Sequence, residues 1–162
     1  MKKMLFPLAM MISAFGLQAQ IKTTVACPEF SIDILDGKIN SLSIKANNAQ
    51  IKSMFPCFSS AEDEASAGCG TSVFYKEKDI YFYTERNYIE IGPGYKGKLT
   101  LPLMGAARNS LFKWLGNPKL KDPGWDVFQT SYGILILYYN KAGKVNKIQL
   151  SVKSPETIKL CE

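Results

Sequence analysis

The sequence predicts an α+β fold of two repeats, each a short helix followed by three antiparallel strands. The helices lie on one sheet face, and an extra hairpin opens the fold. Three observations predict this. Apolar residues recur at helical spacing in two short stretches, Ile51, Met54, Phe55 and Phe58, then Leu111, Trp114 and Leu115. Each stretch is followed by three strand-like runs bounded by turn residues. The order strand, helix, strand, strand, strand occurs twice with near-constant spacing, which is how a duplication shows in sequence. Antiparallel strands with one helix per unit place the chain in the α+β class.

The elements follow in chain order. Phe30 to Leu35 and Ile39 to Ile44 form a hairpin around Asp36-Gly37. Leu42-Ser43-Ile44 opens the first copy and Leu99-Thr100-Leu101 the second. Asn47 or Asn48 caps the first helix, and Pro56 ends it near Phe55. Gly116 and Pro118 stop the second helix. Val73-Phe74 matches Val127-Phe128, and Ile80 to Tyr83 matches Ile134 to Leu137, both at an offset of 54. Ile89-Glu90-Ile91 matches Ile148-Gln149-Leu150 at 59, the difference being a longer hairpin at Asn140 to Gly143. Gly92-Pro93-Gly94 is the junction. The copies run over about 30–92 and 95–152, within one compact unit of residues 20–162.

Residues 1–19 read as a secretory signal peptide. Lys2 and Lys3 form a basic start, Met4 to Leu17 an apolar stretch, and Ala19 a small residue at the cleavage position. The stretch is too short for a membrane span. The mature chain would have 143 residues (162 less 19) and a net charge of +4, from 18 basic and 14 acidic residues. Its location would be the periplasm or the extracellular space of a bacterium. Thr24-Val25-Ala26-Cys27 loosely resembles a lipobox, but Thr24 replaces the usual aliphatic residue and a polar stretch separates it from the apolar run. A lipid anchor at Cys27 is therefore the weaker reading. The 46% hydrophobic and 21% charged composition excludes a disordered chain. The chain has no histidine, which excludes Ser–His–Asp triads, Cys–His dyads and histidine zinc sites.

Four cysteines, Cys27, Cys57, Cys69 and Cys161, follow the signal. An even count in an exported chain reads as two disulfides, and no Cys-x-x-Cys pair points to redox chemistry. Of the three connectivities, Cys57–Cys69 with Cys27–Cys161 is expected, because the first closes a short polar loop. On the loop-entropy model these would contribute ~3 and ~5 kcal/mol.

The run Leu111-Phe112-Lys113-Trp114-Leu115-Gly116-Asn117-Pro118, then Trp125-Asp126-Val127-Phe128 and Tyr132-Gly133-Ile134-Leu135-Ile136, carries a resemblance. It resembles the tandem helix-plus-antiparallel-strand modules of the beta-lactamase inhibitor protein type, and the related small lipoprotein of the outer-membrane assembly machinery. The likeness covers the last third of the chain well and the first copy faintly. The inhibitor family has two helices per unit, and one is found here. The resemblance implies a module that binds proteins with a sheet face, and it transfers no functional residue.

Strand alternation sends Ile80 and Phe82 to the helix face and Tyr81 and Tyr83 to the other. Tyr88 and Glu90 follow them outward, and Leu135, Leu137 and Tyr139 are assigned there from the second copy. Tyrosine brings large contact area at low entropy cost, so Tyr81, Tyr83, Tyr88 and Tyr139 are the candidate partner-binding residues. Leu135 and Leu137 fit better under a covering loop. The other clusters are weaker. Glu62-Asp63-Glu64 lacks the spacing of a calcium loop. The pairs Glu77 with Asp79 and Glu85 with Glu90 are the acids a hydrolase would draw on, but they read as surface charge. Lys141, Lys144, Lys147, Lys153 and Lys159 read as edge-strand protection. Compartment and modest charge exclude a nucleic-acid partner. The expected function is non-enzymatic binding of another envelope or secreted protein, with no cofactor and no metal. A structural role in envelope assembly is the alternative, and a carboxylate hydrolase comes third.

Overall fold

A computed structural model describes residues 26–63 and 68–161. The leader expected at 1–19, and Thr24 and Val25 of the lipobox-like run, lie outside the described residues. The chain forms β1 (Ser31–Asp33), β2 (Lys38–Ile39), β3 (Leu42–Ser43), α1 (Asn48–Met54), β4 (Ser60–Glu62), β5 (Ser72–Tyr75), β6 (Ile80–Tyr83) and β7 (Tyr88–Ile91). Then come β8 (Lys98–Leu99), α2 (Phe112–Leu115), β9 (Leu120–Lys121), β10 (Trp125–Gln129), β11 (Ile134–Tyr139) and β12 (Val145–Ser151). A 4-stranded sheet runs β3-β2-β1-β8, and an 8-stranded sheet runs β4-β5-β6-β7-β12-β11-β10-β9. The α+β class therefore holds, with far more sheet than helix. Each half of the large sheet has four strands where three were expected. The added β4 and β9 are two or three residues long, too short to show an alternation.

Local chemistry explains the short elements. Asn47 caps α1 in a reciprocal box: its side chain accepts from the Gln50 amide at 2.9 Å, and Gln50 accepts from the Asn47 amide at 3.0 Å. Such a box stabilises a helix start by about 1 kcal/mol. The helix ends at Phe55, before Pro56. The expected opening hairpin is corrected. β1 and β2 pair around Asp36-Gly37, with Ile32 opposite Ile39, but the second arm breaks at Asn40 and β3 folds back on β2. Asn40 adopts a left-handed conformation, and its side chain holds the Ser31 amide and the Glu29 carbonyl. β8 joins the small sheet parallel to β1, with Ile32 opposite Leu99.

The core lies between the large sheet and a second layer of α1, the small sheet and the segment around α2. Val73, Tyr75, Ile80, Phe82, Ile89, Ile91, Ile148 and Leu150 face Phe30, Ile32, Ile34, Ile51, Phe55, Leu103 and Leu111. Phe30 stacks on Phe55 with ring centres 4.1 Å apart, and the Tyr75 hydroxyl donates to the Phe55 carbonyl at 2.7 Å. At the far end, the Tyr132 hydroxyl donates to the Ile34 carbonyl at 3.0 Å and ties the layers together.

The register corrects the face assignment in the second half. Phe82 pairs with Ile89, Ile89 with Leu150, and Leu150 with Leu135. Directly opposed residues share a face, so Leu135 and Leu137 point into the core, both fully buried. Ile134, Ile136 and Tyr138 take the outer face instead. The expected offset of 54 is one residue out of phase, and a slip of one flips every side chain. Ile134-Leu135-Ile136-Leu137 is apolar on both faces and so gives alternation no phase.

The disulfides join Cys27 to Cys57 and Cys69 to Cys161, with Cα separations of 5.4 and 5.5 Å. The expected pairing of Cys57 with Cys69 and Cys27 with Cys161 is overturned. The intervening β4 pairs with β5, Ser60 opposite Phe74 and Glu62 opposite Ser72. That register carries Cys57 and Cys69 to opposite ends of the ladder, on the order of 20 Å apart at strand spacing, well beyond disulfide reach. With its sulfur bridged, Cys27 has none free for a lipid thioether. The closed loops span 30 and 92 residues, for which the loop-entropy model gives roughly 3.5 and 4.5 kcal/mol.

Candidate functional site

The outer face of the large sheet splits into two regions. After β12 the chain turns back across this face as a strap, roughly residues 152–161, with a turn at 155–157, ending at the Cys69–Cys161 bridge. Ile158 and Leu160 of the strap pack on Val127, Ile134 and Ile136, with Trp125 and Tyr138 beside them. Arg86 donates to the Lys159 carbonyl at 3.4 Å, and the Cys161 amide donates to the Tyr88 hydroxyl at 2.9 Å. The β10–β11 half of the face is therefore covered.

The β5–β6 half is open. Phe74, Tyr81 and Tyr83 sit half-buried on adjacent strands, with Phe74 opposite Tyr81. Phe74 meets Tyr81 edge-on at 5.5 Å and Tyr83 at 5.3 Å, and Tyr83 stacks on Tyr88 at 4.5 Å. The three rings lock each other's rotamers, so a rigid aromatic strip faces solvent. Burial pushes the Tyr81 phenol up, helped by its hydrogen bond to Asp79. Burial does the same for Tyr83, helped by the charge of Glu90. Both hydroxyls stay neutral donors throughout the ordinary pH range.

A polar row borders the strip at the β7–β12 seam. The Gln149 amide donates to Glu90 at 2.7 Å, the Tyr138 hydroxyl donates to Gln149 at 2.9 Å, and Lys147 lies 3.5 Å from Glu90. Lys147 also sits 4.2 Å from the centre of the Tyr138 ring. Burial holds the Tyr138 phenol up at about 12. Gln149 is almost wholly buried with both ends of its amide partnered, so the row is a fixed polar margin.

The structure thus brings Tyr81 and Tyr83 together as expected and separates the other two candidates. Tyr88 is on the expected face but only 1% exposed, beneath the strap. Tyr139 is on the opposite face. A bulge between Tyr138 and Tyr139 shifts the ladder, and the Tyr139 hydroxyl donates to Asp126 at 2.6 Å. Arg108 grips the same carboxylate through two nitrogens, at 2.5 and 2.9 Å, and lies 4.7 Å from the Tyr139 ring. That cluster is a satisfied clasp between the layers, not a binding surface. Sequence reasoning missed Phe74, Tyr138 and Lys147. Alternation from Val73 would have found Phe74.

Several of the remaining charged candidates have structural partners. Lys52 holds Asp63 through both carboxylate oxygens at 2.8 and 2.9 Å, and Asn48 donates to it at 3.0 Å. Asp79 accepts from the Gly94 amide at 2.6 Å, and Glu85 from the Thr71 amide at 3.1 Å. Glu77 is exposed. Among the described residues no cluster of three or more acids or cysteines could hold a metal ion. Lys147 is on a central strand rather than an edge, which corrects its protective role, and Lys153 and Lys159 belong to the strap. No described helix is long and apolar enough to cross a membrane. Comparison with protein-family models, curated proteins and solved structures finds no match.

Proposed function

We propose that this chain is an exported binding module that engages another envelope or secreted protein through the open aromatic strip of Phe74, Tyr81 and Tyr83. The observation carrying the proposal is the contrast within one sheet face. The chain uses a disulfide-anchored strap to cover the aliphatic half and leaves three interlocked aromatics beside it uncovered. Half-buried tyrosines in a rigid array, margined by Glu90 and Lys147, match the anchor-and-rim composition of protein interfaces. The basic, apolar N-terminal stretch and the two bridges support export.

The module reads as a tandem duplication. The strands β4–β7 and β9–β12 each form a four-stranded meander running inward to the shared β7–β12 seam. Each is preceded by a helical segment and a short strand. Glu90 and Gln149, the middle residues of the triplets matched at offset 59, are paired at the seam, where a two-fold between copies would put them. From that pair the equivalent of Tyr81 is Ile136, at offset 55. The two copies would then have diverged at the same position, one to an open tyrosine and the other to a covered isoleucine.

The test is capture from an envelope and secretome extract by the oxidised protein, with Tyr81→Ser/Tyr83→Ser as the paired bait. One dominant protein retained by the parent and lost with the double variant, at nearly unchanged melting temperature, is the expected result. Capture indifferent to the tyrosines would overturn the reading.

A further inference from the structure

The loop before β5, the β6–β7 turn and the strap together line a polar hollow of about 450 Å³. Gly68 and Gly70 face it from the loop, Glu85 and Arg86 from the turn, and Lys153 and Lys159 from the strap. Three cationic side chains from two remote stretches of chain therefore converge on one concavity.

Arg86 is fixed there without being neutralised. Its guanidinium donates to the Cys69 carbonyl at 3.3 Å, to the Lys159 carbonyl at 3.4 Å and to the Gly68 carbonyl. Neutral acceptors thus hold three of its N–H groups, and the other two have no partner among the described residues. Arg86, Lys153 and Lys159 form no ion pair with a described carboxylate. Glu85 is the one described acid lining the hollow, and it accepts from the Thr71 amide at 3.1 Å. Glu156, between the two strap lysines in sequence, bonds Ser154 and does not line it. Three cations less one carboxylate leave the lining at +2. A carboxylate ligand would cancel half of that charge. A phosphate monoester carries roughly −1.5 to −2 at neutral pH and three acceptor oxygens, which matches both the charge and the spare donors. A guanidinium fork takes two such oxygens, leaving the third to the ammonium groups. A concave site of one sign also concentrates a counter-charged ligand.

We infer that this hollow binds a phosphate dianion, free or as the terminal group of a larger molecule, among Arg86, Lys153 and Lys159. Such a ligand bridges the β6–β7 turn to the strap, so its binding also fastens the strap. The site shares no residue with the aromatic strip, so occupancy and partner capture can be scored independently.

The probe is sodium phosphate, added at constant ionic strength to protein exported to an oxidising compartment, and followed by amide-resolved NMR. The amides of Gly68, Gly70 and Thr157, which also lines the hollow, should shift saturably. Sodium acetate should act at least tenfold more weakly. Lys153→Gln/Lys159→Gln should weaken the phosphate response at least tenfold. Lys141→Gln/Lys144→Gln, the same charge change at exposed positions between β11 and β12, should leave it unchanged. Glu85→Gln should tighten binding, its amide oxygen still able to accept from Thr71. Each variant is first shown to keep the parent's circular dichroism and melting temperature. Phosphate should raise the parent's melting temperature and slow amide exchange along residues 153–161. Flotation with phosphatidylcholine vesicles carrying phosphatidic acid, lost in Lys153→Gln/Lys159→Gln, would place the bound phosphate on a lipid, and no flotation would make it a soluble one. A response to sodium phosphate that fails to saturate, is matched by acetate, or survives Lys153→Gln/Lys159→Gln would overturn the site.

Discussion

The two halves of the outer sheet face are finished in opposite ways. On β5 and β6 the outward residues are Phe74, Tyr81 and Tyr83, all half-exposed. On β10 and β11 the central ones are Val127, Ile134 and Ile136, at most 4% exposed and sealed by Ile158 and Leu160 of the strap, with Trp125 and Tyr138 half-buried beside them. Aliphatic side chains have no polar handle and must be covered, whereas tyrosine can wait half-wet for a partner. One half of the face uses its apolar surface in folding, and the other leaves aromatic surface open, the surface on which the proposed recognition rests.

The largest effect should come from charging the covered half. Ile134→Asp puts an unpaired carboxylate under the strap and should cost upward of about 4 kcal/mol, read as the urea midpoint, while Tyr81→Asp should cost under about 1 kcal/mol. Equal losses would erase the distinction between the halves. Next is the strap's anchor. The double variant Cys69→Ser/Cys161→Ser should lose up to about 4.5 kcal/mol, with amide exchange quickening first along residues 153–161. Tyr88→Phe is milder: it removes the hydroxyl that accepts from the Cys161 amide and should cost about 1 kcal/mol.

The reach of sequence reasoning differs between the halves too. Near the polar–apolar alternation of Ile80 to Tyr83 the face of each residue was legible, and Tyr81 and Tyr83 fell where expected. In Ile134 to Leu137 both faces are apolar, so pattern carries no phase and only the ladder to β12 supplies it. The α+β class, a helix cap at Asn47 or Asn48 and the Gly116 stop were legible because their causes are local. The disulfide pairing was not, because it depends on β4, a three-residue polar strand whose pairing moves Cys57 away from Cys69. The strap was hidden for a similar reason: Ile158 and Leu160 are isolated apolar residues, meaningful only against a sheet assembled elsewhere in the chain.

The smallest effect is spectroscopic. All eight tyrosines have phenols held above their ordinary value, with burial the leading cause, and Tyr138 is held at about 12. A raised phenol pKa stabilises the fold fully below pH 10, and that contribution is lost as pH rises through the folded-state values. Absorbance at 295 nm should stay flat through pH 10 and then rise together with unfolding. A component titrating near 10 in the folded protein would show that the strip rings are freer than the structure places them.

The claim that the open aromatic half recognises a partner is tested most directly by capture with two variants side by side. Tyr81→Ser/Tyr83→Ser removes the strip, and Phe112→Ser removes the most exposed large apolar side chain among the described residues, 64% exposed on α2. The account predicts that the tyrosine variant loses the captured protein while Phe112→Ser keeps it. Retention by both, or loss with both, would contradict it.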